Sequence, residues 1–429
     1  MTTLKAVRGT RDLLPPETVL WNRIEATARA VFARYNFGEI RTPVFEDTAL
    51  FARGVGEETD IVSKEMYTWE DRARAQSEKS QSLTLRPENT AGVVRATIEH
   101  NLLESGQLQK LYYIGPQFRR ERPQKGRYRQ FAQIGAEVIG PPSSGSESPL
   151  RDAEVLEMLA TLLDELGITG WTLELNSVGS AADRARYDVA LRAALVPVVS
   201  QMCADCQRRA VTNPLRVLDC KVPADQPIID TLPVIADSLD EESKKHFAAV
   251  TAALDAAGVS YTLNHRLVRG LDYYTRTTFE FTHDGLGAQN ALLGGGRYDG
   301  LSEMLGGPRA PGIGFAIGED RLVLTLLAQE SAPTLADAFI APLGETLNTA
   351  ALVLARELRH KGLWIELGDG GFRLKKSFEA AEKTACRIVI LGEDELQSGI
   401  LTVKTFSTGI QTKVPRAELD VFLSTPASE

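Results

Sequence analysis

Apolar residues recur at helical spacing from Trp21 through Ile24, Ala28, Val31 and Phe32 to Tyr35, directly after Pro15-Pro16, so an amphipathic helix opens the fold. The period then changes. Residues 39–46 read as a strand containing Pro43, and because proline cannot donate to a ladder, that strand belongs at a sheet edge, free to meet another subunit. Residues 83–86 are β-like, with a helix at 90–103 directly behind. Two β-rich runs, 111–114 and 131–139, flank a turn holding Pro123 and Gly126, the pattern of a hairpin. Val155, Leu156, Leu159, Leu162, Leu163 and Leu166 mark a long helix and 171–175 a strand. Residues 181–259 turn alanine-rich, helical and charged, which predicts an insertion between two β-rich halves. Strands return at 260–268 and 271–281. Glycines crowd 285–318, ahead of a helix at 319–329 whose N-terminal amides face the glycine-rich side. Beyond a boundary near 331–334, strand and helix alternate from 338 to 391, so the last hundred or so residues form a separate small α/β domain.

Composition narrows the class. A chain of 429 residues with 43% hydrophobic content can bury substantial cores and suggests about three domains. Its net charge of -9 argues against a generally basic nucleic-acid coat, so any contact with nucleic acid must come from local patches. Neither an apolar core of signal-peptide length near the start nor a run of roughly 20 apolar residues is present, and the expectation is a cytoplasmic protein without membrane attachment. Cys203, Cys206, Cys220 and Cys386 are too few for a secreted disulfide framework. The first three look like most of a zinc site, but no fourth ligand stands at metal-site spacing, the next histidine being His246. Thiols packed in a helical segment, without metal, are the expectation.

One segment stands out by charge. Residues 118–131 carry five arginines and one lysine against a single acid, a local +5 at the tip of the expected hairpin, which reads as a polyanion site or a solvated basic turn. Neither a P-loop nor a Rossmann fingerprint is present, and the segment 294–300 does not sit between strand and helix as those motifs require. Phosphate binding therefore falls to arginine: Arg119, Arg127, Arg269 between two strands, and Arg321 at a helix start. Guanidinium forks bind phosphate oxygens bidentately and stay charged at physiological pH.

These residues carry a resemblance. The strand with Pro43, Phe-Arg-x-Glu at 118–121, and Gly-x-Gly-x-Ala-x-Gly-x-x-Arg at 312–321 resemble, in order, motifs 1, 2 and 3 of class II aminoacyl-tRNA synthetases. The segment 267–277, Leu-Val-Arg-Gly-Leu-Asp-Tyr-Tyr-Thr-Arg-Thr, resembles the histidine-specific signature of the histidyl-tRNA synthetases, as do 8–12, 84–88, 122–131 and 213–219. The resemblance implies an α+β fold: a class II antiparallel sheet flanked by helices in 1–332, a helical insertion at about 181–259, and an α/β anticodon-binding domain in 333–429.

It also implies roles. Glu88 and Thr90 would hold the amino group of L-histidine, with Glu137, Tyr273 and Tyr274 around its imidazole and Gln133 nearby. Arg119 would take the α-phosphate of ATP, Glu121 the adenine amino group, Phe131 the adenine face, and Arg127 with Arg321 the outer phosphates. Arg269 would stand beside the α-phosphate, so Arg119 and Arg269 are the catalytic pair. Gln124 and Arg129 match positions that approach the acceptor end of tRNA(His). The reaction implied is formation of histidyl-adenylate and pyrophosphate, with Mg2+ on the nucleotide, then transfer of histidine to the tRNA 3′ end by a homodimer. The chain departs from the commonest pattern at Asn89, Arg120, Ala132 and Asp320. A non-catalytic paralogue serving as regulatory subunit of ATP phosphoribosyltransferase is the rival, but such subunits usually lack the C-terminal domain and have eroded motif 2 arginines.

Overall fold

In a computed structural model, residues 3–56, 59–71, 80–124, 126–268, 271, 273–286, 290–327 and 335–426 are described, and the chain divides into two compact units, 1–330 and 331–429. Arg269, expected beside the α-phosphate, lies outside the described residues.

The first unit is built on an eight-stranded sheet. Its strands are β1 (Gly38–Glu39), β2 (Gln109–Phe118), β3 (Gln130–Ile139), β4 (Trp171–Ser177), β5 (Thr262–Leu263), β6 (Thr275–His283), β7 (Ala291–Arg297) and β8 (Gly312–Gly318), in the spatial order β1-β2-β3-β8-β7-β6-β4-β5. The six inner strands run antiparallel, with short parallel strands at both edges. Period-two alternation gives the sheet two faces. Ile134, Ala136 and Val138 of β3, and Ile313, Phe315 and Ile317 of β8, join one core with the helices Glu17–Arg34 and Pro149–Glu165. Their alternate neighbours Gln133, Gly135, Glu137, Gly312 and Gly314 therefore point to the opposite face, where the site is built.

The expected strand over 39–46 is broken. Gly38–Glu39 pairs with Leu111 and Tyr112 at the sheet edge, whereas Phe45–Asp47 joins a separate three-stranded sheet with Tyr67–Asp71 and Gln81–Leu85. Pro43 falls in the gap. There Arg86 replaces ladder bonds, donating from Nη1 to the carbonyls of Thr42 at 3.0 Å and Pro43 at 3.4 Å, and from Nε to Pro116 at 2.9 Å.

Nor is 181–259 a single body. Helix Glu241–Ala257 gives Val250 and Leu254 to the sheet's core, while Tyr187, Leu191, Cys206, Val217, Cys220 and Ile235 form a small core of their own. A buried ionic chain sits at the seam. Arg297, fully buried, pairs with Asp152 and donates to the Ser146 carbonyl at 2.5 Å, and Asp152 accepts from His246 Nε2 at 2.9 Å. Arg276, at φ +48°, continues the chain to His246 Nδ1 at 3.2 Å and Glu242 at 2.7 Å.

The second unit is a five-stranded sheet in the order Ile365–Leu367, Ala338–Pro342, Arg387–Leu391, Ile400–Thr405, Gln411–Pro415, the first three parallel and the rest antiparallel. Helix Asn348–His360 covers one face through Leu354 and Leu358, and Leu374–Thr384 the other through Ala381. Arg387 is internal: it donates to the carbonyls of Leu423 at 3.0 Å and Thr425 at 2.7 Å.

Candidate active site

Two cavities share a wall on the polar face of the sheet. The inner, about 140 Å³, is lined by Glu88, Thr90, Tyr113, Tyr273, Tyr274 and Tyr298, among others. The outer, about 280 Å³, is lined by Glu121, Arg127, Phe131, Glu280, Asp320 and Arg321, among others. Arg119 and Gln133 line both.

The inner cavity is roofed by a helix start. Glu88 precedes helix Thr90–Glu99 and accepts from the amides of Thr90 at 2.7 Å and Ala91 at 3.1 Å, satisfying donors that a helix N-terminus leaves open. Burial nevertheless pushes its pKa up. Beneath, Glu137 accepts from Thr90 Oγ1 and from Tyr298 OH, each at 2.7 Å, and its own burial raises its pKa to about 8. The carboxyl is buried directly behind Thr90, Tyr298 and Gly314, all of which line the cavity. Tyrosines line the same space. Tyr273 packs 4.7 Å from Tyr274 and 5.8 Å from Tyr298 between ring centroids, and burial holds Tyr113, Tyr273 and Tyr298 protonated far above neutral pH. Two polar groups face this space without a partner among the described residues: Tyr113 OH and Gln133 Oε1.

Glycine makes the space. A Cβ at Gly314 would overlap the Glu137 carboxylate, and one at Gly135 would strike the Tyr113 hydroxyl. Gly294 and Gly314 of the glycine-dense stretch line this cavity.

The outer cavity lies under the basic hairpin. Strands β2 and β3 pair from Gln109 to Phe118, and the tip closes through reciprocal bonds between Gln124 and Arg127, at 3.1 and 2.9 Å, around Gly126 at φ +74°. Arg119 donates from Nε to the Pro87 carbonyl at 2.9 Å and stands 5.2 Å from the centroid of the Phe131 ring, which fixes its direction along the cavity wall. Arg127 meets Glu121 at 3.2 Å, and Arg321 donates to the Ala291 carbonyl. Of the residues matched to tRNA contacts, Gln124 is exposed, but Arg129 lies against the N-terminal segment, its amide on the Gly9 carbonyl at 2.7 Å and Nη1 on that of Arg8 at 3.2 Å. Asp320 is drawn to Arg11 at 2.9 Å.

Sequence reasoning missed Tyr113, Tyr298 and Glu280. Tyr298 sits in the 294–300 segment that fits no phosphate motif, and only its hydroxyl's bond to Glu137, two strands away, reveals its part. It also missed Asp225. The fold brings that carboxylate to Cys203, Cys206 and Cys220, supplying the fourth donor that the spacing lacked.

A family model of the histidyl-tRNA synthetases matches residues 9–322, and one of the anticodon-binding domain matches 337–425. The chain is 72% identical over 422 residues to the histidine–tRNA ligase of Koribacter versatilis, covering 98% of this chain and 96% of that one. It is 56% identical to that of Solibacter usitatus over 97% and 98% of the two chains. Among solved structures, the apo histidyl-tRNA synthetase of S. aureus superposes with a TM-score of 0.77 at 37% identity, over 99% of this chain and 100% of that one. An ATP phosphoribosyltransferase regulatory subunit/histidyl-tRNA synthetase from Bacillus halodurans C shares the fold, with a TM-score of 0.66 at 20% identity, over 91% and 99% of the two chains. The catalytic sheet, the arginine-walled cavity and the appended domain together define a class II aminoacyl-tRNA synthetase carrying an anticodon-binding domain. Within that class the chain belongs to the histidyl-tRNA synthetase family. It is a histidine–tRNA ligase that uses ATP, and the anticodon-binding domain weighs against the regulatory paralogue.

Proposed function

We propose that the inner cavity holds L-histidine, the outer one ATP, and that Arg119 stabilises charge where the two substrates react. The observation that carries this is that, among the described residues, Arg119 and Gln133 are the charged and amide side chains that line both cavities. Histidine's ammonium would face Glu88 and Thr90, and its ring nitrogens the hydroxyls of Tyr273, Tyr298 and Tyr113, backed by Glu137. The carboxylate oxygen attacks the α-phosphorus, the bond to the β-phosphate oxygen breaks, and pyrophosphate leaves. A ribose hydroxyl at the tRNA 3′ end then attacks the carbonyl carbon and AMP departs. The protein forms no covalent bond in either step, so rate comes from alignment and from cations facing developing charge. Arg127 and Arg321 would take the outer phosphates, with Phe131 and Glu121 on adenine and Arg269 near the α-phosphate.

The carboxylates of Glu280 and Asp320 line the same cavity as Arg127 and Arg321, a hard-oxygen donor set that suits Mg2+. They would hold the ion beside the phosphates, where it neutralises charge. Gln124 and Arg129 would approach the acceptor end of tRNA(His), Arg129 on moving from Arg8. A homodimer is supported by the exposed pair Phe45 and Trp69, 6.0 Å apart on the small sheet next to Pro43. Among the described residues no helix is long and apolar enough to cross a membrane, in keeping with action in the cytoplasm.

The direct test is histidine-dependent ATP/pyrophosphate exchange. Arg119→Ala should lower kcat by about 100-fold or more, the range for losing one preorganised charge donor, with Tm unchanged. Exchange near the wild-type rate in a folded variant would remove Arg119 from the chemistry.

A further inference from the structure

We infer that Cys203, Cys206, Cys220 and Asp225 form a structural zinc site that holds the helical insertion together. Their sulfur and carboxylate atoms all lie within 4.8 Å of one another, although the chain separates the outer two by 22 positions. A tetrahedral Zn2+, with Zn–S of about 2.3 Å and Zn–O of about 2.0 Å, demands S···S edges of about 3.8 Å and S···O edges of about 3.5 Å. The Cys203–Cys220 edge is 3.9 Å and the Cys220–Asp225 edge 3.3 Å. A disulfide would require sulfurs about 2.05 Å apart.

Charge points the same way. Asp225 is 1% exposed, and among the described residues its partners are the Cys203 amide, at 3.1 and 3.2 Å, and thiols, not a basic side chain. A carboxylate buried without a counter-charge is costly, and a divalent cation between it and three thiolates supplies one. The surroundings fit a metal centre's outer contacts: the Val222 amide donates to Cys220 Sγ at 3.4 Å, and the Cys203 amide would retain the second Asp225 oxygen. Thiolate-rich tetrahedral donors select zinc, and four protein ligands leave no open position, so the role is structural.

The placement gives the ion something to do. Cys203 and Cys206 open helix Ala204–Thr212, Cys220 follows the turn Pro214–Val217, and Asp225 leads into Gln226–Ile229. The small core beneath is separate from that of the main sheet and contains Cys206 and Cys220 themselves. Small cores of this kind commonly need a metal or disulfide staple.

Full-length protein purified without chelator from zinc-supplemented cells should carry about one zinc per chain by mass spectrometric metal analysis. Asp225→Ala and Cys220→Ser should each lose it. Asp225→Cys should keep it and, with Co2+ in place of zinc, show stronger thiolate-to-cobalt absorption than the wild type. In thiol titration of the native chain, a strong chelator should release the three clustered thiols together. Wild-type protein without stoichiometric zinc, thiols indifferent to chelator, or a Cys203–Cys220 disulfide found by peptide mapping would each overturn the assignment.

Discussion

Glu319 offers a stability test away from substrate contacts. It opens helix Glu319–Leu327, is wholly buried, and neither carboxylate oxygen has a hydrogen-bond partner among the described residues. Burial, with Glu25 and Asp320 nearby, moves its pKa from the ordinary 4.5 up to about 8. The folded state therefore binds this proton more tightly than the unfolded chain. The stability that the proton confers is complete below about pH 4.5 and is lost as pH climbs through about 8. That interval, at about 1.36 kcal/mol per pH unit, amounts to about 5 kcal/mol, and the helix N-terminus returns about 0.3–1 kcal/mol to the charged form. Glu319→Gln is a neutral isostere that cannot ionise. It should match the wild type near pH 4 and exceed it by several kcal/mol at pH 9. The assay is urea unfolding followed by tryptophan fluorescence in a Trp364→Phe background, which leaves Trp21, Trp69 and Trp171 to report the first unit alone. A difference between the two proteins that stays constant from pH 5 to 9 would refute the reasoning.

Other expectations rest on packing and charge. Arg297→Leu should destabilise the first unit by about 3–5 kcal/mol, because Asp152 is left buried without its guanidinium, and Arg297→Leu with Asp152→Asn should recover part of that loss in urea titrations. Gly314→Ala should raise KM for histidine far more than KM for ATP in pyrophosphate exchange, since the added methyl meets Glu137 under the inner cavity only. Tyr298→Phe should cost about 1–3 kcal/mol of stability at pH 9, where Glu137 is ionised and loses a donor, and less at pH 6, where it is protonated.

Much of the site was legible because its parts are local. The hairpin around 118–131 follows from two β-rich runs, a turn and a charge excess, and the helix after Glu88 from its apolar period. What eluded sequence reasoning was non-local. Pro43 was read inside one strand, but the strand splits there because Arg86, 43 residues on, satisfies the carbonyls that a ladder would have taken. Glu137 was named from the ordered motifs, but its partners Thr90 and Tyr298 come from two other elements that no local pattern links to it. Asp225 was passed over because ligand spacing was sought in cysteine and histidine, and a carboxylate closes the cluster instead.

The sequence by itself determined the alternation of strands, the helices, the family and its chemistry, since period, turn residues and ordered motifs are properties of neighbouring positions. Only the tertiary structure decided that Arg119 borders two cavities, that Tyr113 and Tyr298 join the lining of the inner one, and that Arg297 neutralises Asp152 from 145 residues away. Those outcomes depend on which strands become neighbours and which face each presents. A shift of one residue in register would turn Glu137 and Gly314 into the core. No spacing within the chain records that choice, because it is made by the apolar residues on the sheet's other face.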